Sequence, residues 1–209
     1  MFPGKVDPMK PLDAIMSSPL AYRLWMAPFK GKKFAPVLLN NNLKTVKRVL
    51  DVGCGPGTNA HYFAGSQYLG IDWNEQYIRE ARRLHHGRFL VGDAANLSFA
   101  HGERFDFILV NSLLHHLETS IVLRLLSYLS TLLTEDGCLH VLELTLPEHG
   151  SIARFLALSD RGDFPRSLDE WRKVFTKAFE QVMLAPYDLA ICGVTLWKML
   201  YFKGKTKKI

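Results

Sequence analysis

Cysteine is scarce in this chain of 209 residues: Cys54, Cys138 and Cys192 stand far apart and form no C-x-x-C pair. Neither a disulfide framework nor a zinc site is indicated, and no metal is expected. A reducing, cytoplasmic setting suits such a chain. No run of about 18 apolar residues occurs, so no membrane-spanning helix is expected. The stretch Met1 to Lys10 lacks an apolar core of signal-peptide length, so export by that route is not expected. Internal repeats are missing, and low complexity is confined to the lysines of the tail.

What is present suits one globular unit. Apolar residues make up 48% and charged residues 22%, which supplies a core and argues against disorder. The net charge of +6 favours anionic partners such as phosphorylated metabolites, lipid heads or nucleic acid. Lysines gather at Lys30, Lys32 and Lys33 and again at Lys203, Lys205, Lys207 and Lys208, as solvated ends or as an anion-binding patch.

Proline concentrates before residue 45, at Pro3, Pro8, Pro11, Pro19, Pro28 and Pro36, which allows only short helices between breaks. Leu20, Leu24 and Trp25 give one such helix an apolar face, and a second runs through Phe34, Val37 and Leu38. Residues 1–45 read as a helical cover segment, and residues 46–209 as the globular domain.

From Lys47 onward strands and helices alternate, which points to an α/β doubly wound, mostly parallel sheet with helices on both faces. Strands are expected at 47–52, 67–72, 88–91, 105–110, 138–145, 179–186 and 192–202. Helices are expected at 57–64, 74–85, as a pair within 113–134, at 150–158 and at 167–177. The connection between the last two strands is too short for a crossover helix, so they should pair antiparallel.

The stretch Val49-Leu50-Asp51-Val52-Gly53-Cys54-Gly55-Pro56-Gly57 organises the rest. It is an apolar run that breaks into glycines at alternate positions, where the backbone turns sharply and comes close to a ligand that a Cβ would block. Ligands of open α/β sheets bind beyond the carboxyl ends of the strands. Asp72 ends the second strand, about twenty residues after the turn, the distance at which a carboxylate holds ribose hydroxyls. Asp93 and Ala94 follow the third strand. A dinucleotide fingerprint would place glycine or alanine where Thr58 stands, and the third glycine is instead Gly57.

In these residues the chain resembles the class I S-adenosylmethionine-dependent methyltransferases. Residues 49–57 look like the family's first motif, Leu69-Gly70-Ile71-Asp72 like its second, and Gly92-Asp93-Ala94 like its adenine-side motif. Residues Phe105 to Leu117, with Asn111 and the pair His115-His116, resemble the fourth strand and following loop of quinone and small-molecule methyltransferases. The resemblance covers roughly residues 47 to 146 and implies a Rossmann-like methyltransferase fold with a seven-stranded sheet whose last strand is antiparallel. It further implies that Asp51 and the loop Gly53, Cys54, Gly55 and Gly57 border the methionine part of S-adenosylmethionine. Asp72 would hold the ribose, Trp73 would flank the adenine, Asp93 and the Ala94 amide would read its edge, and Asn111 would lie beside the amino group through its backbone.

Each assignment has a structural rival. Asp51 either contacts the cofactor or ties the loop to itself through backbone amides. A carboxylate at the position of Asp72 has little structural purpose, whereas for Trp73 the rival reading is packing on the outer helix. Adjacent histidines on a helix point about 100° apart and cannot readily chelate one ion. For His115 and His116 the readings are packing, a cleft border, or a general base. His85-His86 falls at a helix end and reads as a surface pair. Glu143, near the end of the fifth strand, is either a second acceptor contact or a buried structural carboxylate.

Acceptor choice falls to the N-terminal segment and residues 147–166. Tyr22, Trp25, Met26, Phe29, Phe155 and Phe164 there mix with Arg23, Arg154, Arg161 and Arg166, which suggests an apolar small molecule with an anionic group, or else ordinary packing. The N-P-P-Y-type tetrapeptide of amino-methylating enzymes is replaced by Asn111-Ser112-Leu113-Leu114, which argues against nucleic-acid amines. The competing readings are a nicotinamide-dependent oxidoreductase and a non-catalytic partner protein that keeps the cofactor fold.

Overall fold

The computed structural model describes residues 29–96, 100, 102–159 and 162–207. The helix expected between Pro19 and Pro28 lies outside them. In chain order the elements are α1 (Lys30–Asn40), β1 (Arg48–Val52), β2 (Gln67–Asp72), α2 (Glu75–Leu84), β3 (Arg88–Val91), β4 (Phe105–Asn111), α3 (Thr119–Leu132), β5 (Leu133–Leu144), α4 (Ile152–Ser159), α5 (Leu168–Ala178), β6 (Phe179–Ile191) and β7 (Val194–Thr206). The strands form one seven-stranded sheet in the order β3-β2-β1-β4-β5-β7-β6. Strands β1 to β5 pair in parallel, and β7 runs antiparallel between β5 and β6. The order reverses between β1 and β4, which makes their carboxyl ends the switch point where such sheets bind ligands.

Alternation along the strands divides the core into two faces. Leu50, Val52, Leu69, Ile71, Ile108, Val110, Leu139 and Val141 point to one side, where Leu125, Leu126 and Leu129 of α3 and Trp171 and Phe175 of α5 cover them. Val49, Tyr68, Phe107, Leu109, Leu142 and Tyr201 point to the other, under Phe34 and Val37 of α1, Phe63, and Ile78 and Ala81 of α2. A third cluster joins Phe29, Leu144, Ala157, Leu189 and Met199 at the end of β5.

Several local expectations change. The helix expected through Phe34, Val37 and Leu38 is present as α1 and extends from Lys30 to Asn40, with Pro36 inside it. Burying Phe34 and Val37, at about 1.5–3 kcal/mol each, offsets the roughly 3 kcal/mol that a mid-helix proline costs. The helix expected over 57–64 shrinks to a 3-10 turn, Ala60–Phe63, because Gly53, Gly55 and Gly57 all adopt left-handed φ angles and hold the chain in a coil. The expected helix pair within 113–134 is a single helix, α3, preceded by a 3-10 turn at Leu114–His116. Strand β5 begins at Leu133, before the expected 138. The final hairpin reaches further than the apolar pattern suggested and turns at Cys192 and Gly193, whose φ values of 49° and 79° fit the two-residue turn that matches strand twist.

Candidate active site

The glycine loop leaves β1 and is pinned to β2. The Gly53 and Cys54 amides donate to the Ile71 carbonyl at 2.8 and 3.0 Å. The Gly55 amide donates to Asp72 Oδ2 at 2.9 Å, and the Asn74 amide to Oδ1 at 2.8 Å. Asp72 therefore has a structural task that its position in the sequence did not suggest. Each of its oxygens has accepted one backbone bond and keeps capacity for another. Burial pushes its carboxyl up, against the pull of these two amides. At Gly57 a Cβ would sit 2.7 Å from His85 Cδ2 with φ at +78°, so this glycine is required by space and by conformation alike. The Cys54 side chain is buried in the second core cluster, which turns its thiol away from the strand ends.

Asp51 is fully buried, on the face of the sheet that carries Val49 and Tyr68 and faces away from α3. Its Oδ2 accepts from the Tyr68 hydroxyl at 2.5 Å and from Asn59 Nδ2 at 3.2 Å. Side chains, not the loop amides, thus hold it. Gly70 lies opposite Asp51 in the register, and the space a Cβ would take there is filled by the Phe89 ring and the Cys54 sulfur. Asn59 in turn accepts from Asn111 Nδ2 at 3.5 Å, linking the ends of β1 and β4. Asp51 Oδ1 and Asn111 Oδ1 are buried and have no hydrogen-bond partner. Burial raises the Asp51 carboxyl from 3.8 to about 6, despite the bonds from Tyr68 and Asn59. Asn59 and Tyr68 were not read from the sequence, because their meeting with Asp51 depends on the β1–β2 register.

Along the sheet edge, Asp72 pairs in register with Val91, so the residues after β2 and β3 are neighbours. Trp73 is 74% exposed and does not pack on the outer helix. Asp93 is exposed and accepts the Ala95 amide at 2.8 Å, while Ala94 is partly buried against the first core cluster.

On the other side of the switch point, the loop after β4 turns at Ser112, with φ at 53°, and enters the 3-10 turn that carries both histidines. Glu143 of β5 is fully buried beneath it. Its Oε2 accepts the Leu114 amide at 2.8 Å, and its Oε1 accepts the Leu144 amide at 2.8 Å and meets His115 Nδ1 at 2.5 Å. Burial pushes this carboxyl up, but the His115 interaction and the Leu144 and Leu114 amides outweigh it and hold it below its ordinary range. His115 is buried and His116 exposed, with ring centres 4.1 Å apart. Gly162 covers His115 so closely that a Cβ there would lie 2.1 Å from the ring.

Of the four arginines expected on the acceptor side, the two among the described residues, Arg154 and Arg166, are engaged with backbone carbonyls. Arg166 is 6% exposed and spends its guanidinium on Leu114, Leu117 and Phe164 carbonyls and the Thr119 hydroxyl. Arg154 donates to the Pro147 carbonyl. Tyr22, Arg23, Trp25, Met26 and Arg161 lie outside the described residues. Phe29 is buried, Phe155 is largely exposed and Phe164 is half-buried. Among the described residues no group of three or more His, Cys, Asp or Glu side chains is arranged to hold a metal, and no helix is long and apolar enough to cross a membrane.

Comparison with known proteins bears on this site. A family described as "Methyltransferase domain" matches residues 49–137, the span from β1 into β5. A fatty-acid O-methyltransferase of Mycolicibacterium smegmatis is 41% identical over 70 residues, a match spanning 30% of this chain and only 25% of that protein. The N-methyltransferase NodS of Bradyrhizobium japonicum, solved with S-adenosylhomocysteine, superposes with a TM-score of 0.72 at 18% identity, over 94% of this chain and 97% of its own. An S-adenosylmethionine-dependent methyltransferase of Methanosarcina mazei superposes with a TM-score of 0.68 at 20% identity, over 83% of this chain and 98% of its own. Over residues 49–137 the chain is thus similar to methyltransferase domains, and its fold is the one that these solved S-adenosylmethionine-dependent methyltransferases share.

Proposed function

We propose that the protein transfers a methyl group from S-adenosylmethionine to a small, partly apolar molecule. The observation that carries this reading is the pair of unpartnered buried acceptors, Asp51 Oδ1 and Asn111 Oδ1, at the carboxyl ends of adjacent strands. A buried acceptor without a donor costs roughly 1–3 kcal/mol, and an ammonium group between these two oxygens would remove that cost. The cofactor's methionine end brings such a group. In this reading Asp72 accepts from the ribose hydroxyls with its remaining capacity, Trp73 flanks the adenine, and Asp93 and the Ala94 amide meet its edge. Gly53, Gly55, Gly57 and the Cys54 backbone let the methionine part approach closely.

When bound, S-adenosylmethionine supplies an already activated sulfonium methyl group, so the protein's own tasks are alignment, exclusion of water and proton removal. Alignment of reacting groups is worth up to roughly 7–11 kcal/mol. Glu143 orients His115 through Nδ1, which directs any proton that His115 takes from an acceptor to Nε2. His116, beside it, is assigned to the cleft border. The unit that holds the site includes α1, whose Phe34 and Val37 are buried in the second core cluster with β1 and β4. The unpaired thiols suit a reducing cytoplasm.

The test is incubation of the purified protein with methyl-labelled S-adenosylmethionine and a small-molecule extract. Label in an organic-soluble product, lost in Asp72→Ala, supports the reading. Label confined to protein or nucleic acid, or no label, contradicts it.

A further inference from the structure

The arginine that the sequence offered as an anion receptor is instead the clamp of the acceptor side. A guanidinium has five N–H donors, and Arg166 uses all of them. Nη1 donates to the Leu114 and Phe164 carbonyls, each at 3.1 Å. Nη2 donates to the Leu117 carbonyl at 2.7 Å and to Thr119 Oγ1 at 3.0 Å, and Nε donates to the same hydroxyl at 3.3 Å. The guanidinium lies over the Trp171 ring, 4.7 Å from its centre, and the Trp171 indole is fixed by a 2.8 Å bond to the Leu144 carbonyl.

The loop that carries His115 is thereby gripped from opposite sides. The Leu114 amide donates to Glu143 while the Leu114 carbonyl accepts from Arg166, so one peptide segment spans a buried carboxylate and a buried guanidinium. Glu143 holds the His115 ring, and the Phe164 amide holds the His115 carbonyl at 3.0 Å. Arg166 closes the circuit, since its own carbonyl accepts the Leu146 amide at 2.8 Å just beyond β5. A lysine would bring the charge but only three donors from one point, and would not reproduce this fan.

We infer that Arg166 is a positioning residue for His115: it fixes the turn Leu114–His116 against the strap Gly162–Arg166 and so sets where the imidazole stands. The inference rests on the reading of His115 as the acceptor-side base. A merely structural clamp would change melting alone, whereas a positioning clamp changes the imidazole itself.

The experiment is long-range proton–nitrogen NMR of the histidine rings in the full chain, with the His115 signal assigned from His115→Gln. Calorimetry with S-adenosylhomocysteine runs in parallel. In Arg166→Lys the His115 nitrogen shifts and titration midpoint are expected to move, with cofactor-product affinity within about twofold of wild type. Once an acceptor is in hand, kcat should fall by about tenfold to a hundredfold with that affinity retained, the scale of a small misplacement of a catalytic group. Unchanged His115 signals in folded Arg166→Lys overturn the inference. If that variant does not fold, Thr119→Val decides. It removes the acceptor of two of the five N–H groups and leaves the charge, so moved His115 signals support the role and unmoved ones overturn it. Failure of wild type to bind S-adenosylhomocysteine would overturn the donor reading alone, because the NMR result does not depend on it.

Discussion

Asp72 and Gly55 stand 17 residues apart in the chain, and the Gly55 amide donates to Asp72 Oδ2 across 2.9 Å. The acid assigned to the ribose therefore also shapes the glycine loop that the methionine part must approach. With Asp72 in the proposed ribose role, donor affinity and loop geometry would be coupled through one side chain. Removing the Asp72 carboxylate should weaken S-adenosylhomocysteine and also loosen the unliganded loop. Asp72→Ala is expected to lose about 1–3 kcal/mol of stability as two amides lose their acceptor, together with at least about tenfold in affinity, equivalent to roughly 1.4 kcal/mol. Thermal melts and calorimetry on the same samples check both effects. Weaker binding without any loss of stability would show that the amide bonds carry no weight.

Asp51 gives the site a pH dependence. Its folded carboxyl titrates at about 6 against 3.8 for the free group, with burial as the main cause. A folded value raised above the unfolded one contributes stability that is fully present below the unfolded value and is lost as pH rises through the folded one. At about 1.4 kcal/mol per unit, that contribution is of the order of 3 kcal/mol. Asp51→Asn should therefore flatten the stability change between about pH 4 and pH 6. An ammonium ligand favours the charged carboxylate, so product binding near pH 5.5 should release a fraction of a proton. Calorimetry in two buffers of different ionisation enthalpy measures this, and identical heats in both would contradict the role of Asp51.

Glu143→Gln tests the dyad. The amide nitrogen of glutamine must face one of the N–H groups that the carboxylate now satisfies, so a melting decrease equivalent to about 1–3 kcal/mol is expected. Methyl transfer should fall by about a hundredfold, the weight of a lost general base, with cofactor-product affinity retained. A normal rate in a folded Glu143→Gln protein would remove the base from the mechanism.

Three glycine-to-alanine changes separate space from flexibility. A Cβ at Gly162 meets the His115 ring at 2.1 Å and the His115 carbonyl at 2.9 Å; one at Gly57 meets His85 at 2.7 Å, and one at Gly65 meets nothing within 4 Å. Gly162→Ala and Gly57→Ala should each cost about 1–3 kcal/mol from overpacking, with Gly57→Ala also weakening S-adenosylhomocysteine. Gly65→Ala should be neutral or slightly stabilising, by up to about 1 kcal/mol. Denaturant melts of the three variants give the comparison, and equal costs at all three positions would refute the steric argument.

The parts of this site that were legible in the sequence depend on local pattern. Strand alternation revealed β1, β2 and β4, and the glycines after Val52 and the acid after Ile71 marked the strand ends where ligands bind. What was not legible depends on partners distant in sequence. Nothing near Asp51 announces that Tyr68 and Asn59 will hold it, because that meeting requires the β1–β2 register. Arg166 looked like an anion receptor because an arginine's acceptors, here carbonyls of residues 114 and 117, leave no mark in composition. The helix expected over 57–64 failed because the third glycine, read as a sign of close ligand approach, also keeps the chain left-handed where a helix would begin.

The central claim is that the carboxyl ends of β1, β2 and β4 seat the methyl donor. Calorimetric titration of the wild-type chain with S-adenosylhomocysteine tests it most directly. One molecule bound per chain, with affinity reduced at least about tenfold in Asp72→Ala and no heat from a nicotinamide dinucleotide, is the result expected. No binding of S-adenosylhomocysteine, or binding that Asp72→Ala leaves unchanged, would contradict it.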